Sequence, residues 1–272
     1  MSLILTELSK VGIAMVTDSA ISMLVNGRIS TVDQQEWRKL LKVQRIGAAI
    51  SYWGSIGYIT KERFDTWLER QIQNGHYEDL PSFADYLAAE MNKACGGKPL
   101  PNGQPAGIHV AGFHEWRDGV RRPTFYHIHN GHGHVRFEQK VATVDGKNVL
   151  LETNRSDEWS PRELFARHND FPPENEDPAV CANILDTTGY MTRNGDYGPF
   201  VIISIGLAQI CGTLNTIPGV SVPREPGALG PRIGFMKVMM ETVINIYQCS
   251  SMSKIIGGKV MTLGIKPDGT YL

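Results

Sequence analysis

Two apolar runs open the chain. Ser2 to Thr6 alternates into Glu7-Leu8-Ser9-Lys10, Val11 to Val16 is continuously apolar, and the two are broken only around Lys10 and Gly12. This pattern reads as a β-hairpin whose second strand ends at Asp18. Ser2 enters the first strand sixteen residues ahead of Asp18. Removal of the initiator methionine would make Ser2 the N-terminus. A terminal serine carries nucleophile and base on one residue, because its free α-amine can take the hydroxyl proton without a separate histidine. Such a chain would be a hydrolase.

The segments that follow predict a mixed α and β architecture. Lys39-Leu40-Leu41-Lys42-Val43 and the apolar run Ile46 to Gly54 form a second strand pair. Thr60 is placed as the cap of the next helix, in which Phe64, Trp67, Leu68 and Ile72 share one face at helical spacing and Lys61, Glu62, Arg63, Glu69 and Arg70 cover the other. A second helix starts at Asp79 or Ser82, with Pro81 in its first turn, and stops at Gly96-Gly97. Two strands, Ile108 to Phe113 and Thr124 to His129, are joined by a charged turn at Glu115 to Gly119.

With these residues in place, the chain resembles the β-type subunits of the proteasome and their bacterial relative HslV, within the N-terminal-nucleophile hydrolases. The resemblance rests on Ser2 at the head of the first strand, Asp18 closing the second and Lys39 beginning the third. It is strengthened by the closing Gly257-Gly258, the apolar strand Val260 to Ile265 and the turn Asp268-Gly269. It implies an α+β fold, a four-layer αββα sandwich of the N-terminal-nucleophile type, with residues 1–272 as one domain. It also implies an oxyanion-binding backbone N–H in the stretch Ala49 to Gly54, where Ser51 stands at the position the family usually gives to Gly. Ahead of the closing Gly-Gly, many family members carry an Asp three residues before a Ser. This chain has Ser253-Lys254-Ile255-Ile256, so neither role is carried over.

The stretch from about Arg136 to Gly230 is far longer than the connection usual in that family and reads as an insertion in the second half. Ser160-Pro161-Arg162-Glu163 is a capping box for one short helix. Asp177-Pro178 starts another, expected to end near Arg193-Asn194-Gly195, and Ile217 to Pro231 is a Pro- and Gly-rich loop ahead of an apolar helix over Ile233 to Tyr247.

Several classes of function are excluded. A net charge of −1 gives no basic field for nucleic acid. Phe200 to Cys211 is apolar but falls short of the about 20 residues that a membrane span requires. Cys95, Cys181, Cys211 and Cys249 are widely spaced and form no C-x-x-C pair, which fits reduced thiols in a cytoplasm. The N-terminus lacks the basic and apolar regions of a signal peptide. A rival motif is His127-Ile128-His129-Asn130-Gly131-His132-Gly133-His134. Its four imidazoles can be brought together on a metal, but without a nearby carboxylate or cysteine ligand the reading stays with a histidine-rich turn, and neither metal nor cofactor is expected.

The chemistry expected of Ser2, Asp18 and Lys39 follows from their residue types. An α-amine titrates at about 7.7–8.0 and an ordinary lysine at about 10.4, so at neutral pH the amine accepts the hydroxyl proton while Lys39 stays cationic. Lys39 would lower the amine's pKa by like-charge repulsion, and Asp18 would hold Lys39 in place. The resemblance implies a peptidase acting on peptide or unfolded-protein substrates inside a homo-oligomeric ring, with an ATP-driven unfoldase as a candidate partner. Two alternatives stand beside it: an amidase of the same fold acting on small molecules, and a non-catalytic ring or scaffold subunit.

Overall fold

The computed structural model describes residues 3–25, 28–32, 37–131, 135–144, 147–156, 164–195, 198–219, 227–249 and 256–272. Met1, Ser2, His132, His134 and the Ser160 to Glu163 capping box lie outside them.

The opening hairpin forms as the two apolar runs predict. Strands β1 (Leu3–Ser9) and β2 (Gly12–Asp18) pair antiparallel from Ser9↔Gly12 to Ile4↔Thr17. Gly12 sits at φ +137°, and a Cβ there would come within 2.5 Å of the Ile265 carbonyl oxygen, so the turn requires glycine. A hairpin of β3 (Ile21–Val25) and β4 (Arg28–Val32) follows. Then β5 (Leu40–Val43) runs through a 3-10 turn and left-handed Gly47 into β6 (Ala48–Gly54).

Helix α1 (Phe64–Asn74) carries the expected apolar face, but Thr60 does not cap it. The Thr60 hydroxyl donates to the Glu62 carbonyl at 2.7 Å, and Arg63 takes the cap position without a side-chain bond. Helix α2 (Leu80–Ala94) has a complete capping box: the Ser82 N–H donates to Asp79 Oδ1 at 2.9 Å and the Asp79 N–H to Ser82 Oγ at 3.1 Å. It stops at left-handed Gly96 and Gly97.

The next strands are β7 (Ala106–Glu115), β8 (Arg121–His129), β9 (Val135–Val144), β10 (Lys147–Ser156) and β11 (Ala166–Phe171). Helix α3 (Pro178–Thr187) starts at Asp177 as expected, but it ends where Gly189 turns left-handed, and Tyr190 to Gly195 is a strand, β12, in place of the predicted last turns. Helices α4 (Gly198–Leu214) and α5 (Leu229–Cys249) and strand β13 (Val260–Ile265) complete the chain. Gly230 and Pro231, read as loop, lie in the first turn of α5, where the missing proline N–H leaves no bond unmade. No helix among the described residues is long and apolar enough to cross a membrane.

Beside the two-stranded hairpins β3-β4 and β9-β10, two larger antiparallel sheets result, one of four strands in the order β12-β1-β2-β13 and one of five in the order β11-β8-β7-β6-β5. Residues 136–230 therefore supply an edge strand to each: β11 beside β8, and β12 beside β1. One core cluster packs Phe64, Trp67, Phe83 and Leu87 against Ile50, Tyr52, Val110 and Ile128 of the five-stranded sheet. A second packs Met236, Met240 and Val243 of α5 against Leu3, Leu5, Ala14 and Val16. A third joins the two sheets through Leu8, Ile13 and Met15 with Ala49, Ala111 and Phe125. Residues 13 to 16 are thus buried on both faces, which is why they read as a continuous apolar run and not as an alternating one. Each fully buried Leu, Ile, Phe or Met in these clusters contributes about 1.5–3 kcal/mol by leaving water.

A buried ion pair ties α5 to the first strand. The Arg232 guanidinium donates to Glu7 Oε1, close to where left-handed Gly189 passes. Burial raises the Glu7 carboxyl above its ordinary pKa, and Arg232 opposes that rise.

Candidate active site

Antiparallel pairing of β1 with β2 puts the start of one strand beside the end of the other, so Leu3 lies against Asp18. The Asp18 carboxylate is fully buried and gathers three donors among the described residues. Its Oδ1 accepts the Leu3 backbone N–H at 3.1 Å and the Lys39 Nζ at 3.0 Å, and its Oδ2 accepts the Gly257 N–H at 3.2 Å. The hairpin, the residue leading into β5 and the closing Gly-Gly thereby meet on one carboxylate. Charge-assisted bonds of this kind are the strong class, and a buried carboxylate is tolerated because they surround it.

Lys39 is buried as deeply as its partner. Burial pushes its ammonium below the ordinary lysine range, and the attraction and hydrogen bond of Asp18 hold it back up. Lys42, three residues on, is exposed, with its Nζ 4.9 Å from the centre of the Tyr271 ring. Asp18 and Lys39 are brought together, then, and Lys42 is not part of the arrangement.

Ser51 lies within the apolar run read as a strand. It stands inside β6, paired with Leu40 on one side and His109 on the other, so its backbone polar groups face neighbouring strands. Its Oγ is buried and makes no hydrogen bond among the described residues. The β5 ladder stops at Leu40↔Ser51, and β6 runs on through Tyr52 and Trp53 to left-handed Gly54 in its ladder with β7. Ser2 lies outside the described residues and is joined to the site through the peptide nitrogen of Leu3.

The Gly257 N–H was not legible as a site group, since a backbone donor has no side-chain signature. Its only signal was the Gly257-Gly258 pair, which the resemblance marked as the lead into the last strand.

The histidine motif lies elsewhere. His127 and His129 are buried on β8, where His109 of β7 and His168 of β11 join them. His127 Nε2 accepts the Trp53 indole N–H at 2.9 Å, and its Nδ1 lies 3.7 Å from Asp170 Oδ2. His109 bridges the sheets, with Nδ1 2.9 Å from Thr6 Oγ1 and Nε2 2.6 Å from Asn194 Oδ1. His129 Nδ1 accepts the Gly131 N–H at 3.2 Å. An indole N–H only donates, so His127 Nε2 is unprotonated and its proton sits on Nδ1, towards Asp170. The Nε2 of His127 is thus engaged within the protein, and Asp170 lies near its Nδ1. Among the described residues, no group of three or more His, Cys, Asp or Glu side chains is arranged to hold a metal.

A groove of about 530 Å³ runs between the edge strands β5 and β13, lined by Arg38, Leu40, Lys42, Ile72, Met261 and Leu263. Neither Asp18 nor Lys39 lines it.

No family model matches this sequence, and no curated protein matches it. Among solved structures, the chain is similar to an Anbu (ancestral beta-subunit) from Yersinia bercovieri, with a TM-score of 0.45 and 11% identity over 96% of this chain and 80% of that one. It is also similar to an Anbu Gly-1 mutant from Hyphomicrobium sp. strain MC1, with a TM-score of 0.48 and 9% identity over 100% of this chain and 85% of that one.

Proposed function

We propose that this chain is a serine-type N-terminal-nucleophile peptidase of the proteasome-like kind, with Ser2 as nucleophile once Met1 is removed. The observation that carries the proposal is the Asp18 carboxylate, which holds the Leu3 N–H and the Lys39 ammonium on one oxygen. Ser2 directly precedes Leu3, whose N–H is bonded to that oxygen, and the proposal assigns its amine and hydroxyl to the chemistry that Lys39 supports. The two sheets, each with helices packed on one face and the other sheet on the opposite face, support reading the domain as a four-layer αββα sandwich.

In this reading the Ser2 α-amine takes the Oγ proton as Oγ attacks an amide carbonyl. Lys39, fixed by Asp18, favours the neutral amine and stabilises charge developing on Oγ. The tetrahedral oxyanion is received by a backbone N–H just past Ser51, in the Tyr52 to Gly54 stretch, where β6 runs past its last β5 partner. The amine proton then passes to the leaving nitrogen, the C–N bond breaks, and water releases the acyl group from Ser2.

Peptide or unfolded-protein substrates and a homo-oligomeric ring belong to the same proposal, with an ATP-driven unfoldase as the class of partner that would feed it. An exposed apolar surface supports assembly. The Phe64, Trp67 and Leu68 face is covered within the chain by the five-stranded sheet, whereas α4 and α5 expose Ile205, Ile210, Val238 and Ile246.

Peptide hydrolysis by the wild type and Ser2→Ala, with N-terminal sequencing of both, tests the proposal. Hydrolysis by a chain that begins at Ser2, lost in the variant, is expected. A chain that retains Met1 and still hydrolyses peptides would refute it. A monomer by sedimentation that cleaves only small amides would move the reading to the small-molecule amidase.

A further inference from the structure

We propose that Asp65, at the start of α1, is a positioning residue for Lys39, acting through the backbone of the segment that delivers the lysine to Asp18. The catalytic arm of this inference rests on the hydrolase reading above, and its structural arm does not.

Lys39 lies one residue ahead of β5, whose ladder to β6 ends at Leu40↔Ser51. The two residues before it are gripped by α1. The Asp65 side chain is fully buried and accepts four bonds among the described residues. Its Oδ2 takes the Arg38 backbone N–H at 3.2 Å and Arg63 Nη2 at 2.7 Å, and its Oδ1 takes Arg63 Nε at 3.1 Å and the Thr66 N–H at 2.9 Å. The Arg63 guanidinium that clasps Asp65 also stacks 4.6 Å over the Trp37 ring. The Arg38 side chain reaches Glu69, one turn further along the helix. Trp37 and Arg38 are thereby fastened to α1, and the next residue turns inward to the Asp18 carboxylate.

A merely helix-capping role explains only the Thr66 bond. An acidic residue in a first helical turn interacts favourably with the helix dipole while remaining in water. Here the carboxylate is buried and reaches back 27 residues to the Arg38 amide. Burial raises its pKa, but the bonds from Arg63 and the Arg38 backbone outweigh burial and hold it below the usual aspartate value. Asp65 therefore remains an anion at neutral pH, and the Arg38 N–H has a charged acceptor.

Acylation of lysines by a soluble activated ester, followed residue by residue by mass spectrometry, tests the inference without any assay of activity. Lys39 should resist labelling in the wild type and in Arg38→Ala, which keeps the backbone N–H. In Asp65→Ala its labelling should rise by about tenfold, in line with the loss of a charge-assisted hydrogen bond, while exposed Lys42 labels as before. Amide exchange in β1 and β2 should stay at the wild-type rate, which separates a loosened segment from a globally opened protein. Should Asp65→Ala fail to fold, Asp65→Asn decides, because an uncharged amide cannot hold Arg63 bidentately; a smaller rise at Lys39 is expected. Lys39 as protected in either folded variant as in the wild type, or released only together with β1 and β2, overturns the inference. With a cleavable peptide, Asp65→Ala should lower kcat and leave KM unchanged. An inactive wild type whose Lys39 is released in Asp65→Ala would refute the hydrolase reading and leave the positioning role standing.

Discussion

Lys39 Nζ lies 3.0 Å from Asp18 Oδ1, and neither side chain has any exposure. Two buried charges tolerate each other only as a pair, because removing one leaves the other desolvated without compensation. Asp18→Ala and Lys39→Met should each cost about 3–5 kcal/mol. The double variant should cost clearly less than their sum, as expected for residues in direct contact. Urea unfolding of the four proteins measures this, and additive losses would show that the two charges do not depend on each other.

The pH dependence of stability has a defined sign. Burial lowers the Lys39 pKa from the ordinary 10.5, with Asp18 opposing. Between the lowered value and 10.5 the unfolded chain holds a proton on Lys39 that the folded chain has released, so stability contributed here rises with pH across that window. Below the lowered value both states are protonated and the contribution is flat. The wild type minus Lys39→Met difference in unfolding free energy should increase with pH in the window. A difference that falls as pH rises would mean the ammonium is favoured by the fold.

Lys39→Ala should reduce turnover by at least ~10²-fold, the loss expected for one positioned charge or proton-transfer group. Lys42 is exposed over the Tyr271 ring, and Lys42→Ala should be tolerated. Steady-state kinetics on both variants decides, and equal losses would contradict the assignment of Lys39.

The legible parts of this molecule are those whose signal is local. The break at Lys10 and Gly12, the helical spacing from Phe64 to Ile72 and the Asp79/Ser82 capping box each specify an element through neighbouring residues alone, and each element forms. Asp18 and Lys39 could be named as a pair through their order along strands of a familiar type. What could not be read is whatever depends on distant chain. Tyr190 to Gly195 has no strong alternation and becomes a strand because β1 offers it an edge. Asp65 looks like an ordinary first-turn acid, and only the fold sets the Arg38 amide against it.

The histidine cluster makes a prediction of its own. Because the Trp53 indole donates to His127 Nε2, His127 should be neutral with its proton on Nδ1, as nitrogen NMR of the imidazole can read directly. Trp53→Phe removes that donor from a buried acceptor and should cost at least about 1–3 kcal/mol, with the tautomer free to change. A proton found on Nε2 in the wild type would contradict the bonding described.

The most direct test of the account is the covalent capture of Ser2. A peptide epoxyketone closes a ring on a residue only where hydroxyl and free α-amine stand together, so intact-mass measurement should find the wild type one inhibitor mass heavier, with the adduct on Ser2. Ser2→Ala should remain unmodified, and Lys39→Ala should react much more slowly. A wild type that stays unmodified under conditions where a known N-terminal-nucleophile peptidase reacts fully would contradict the central claim that Ser2, Asp18 and Lys39 form a catalytic site.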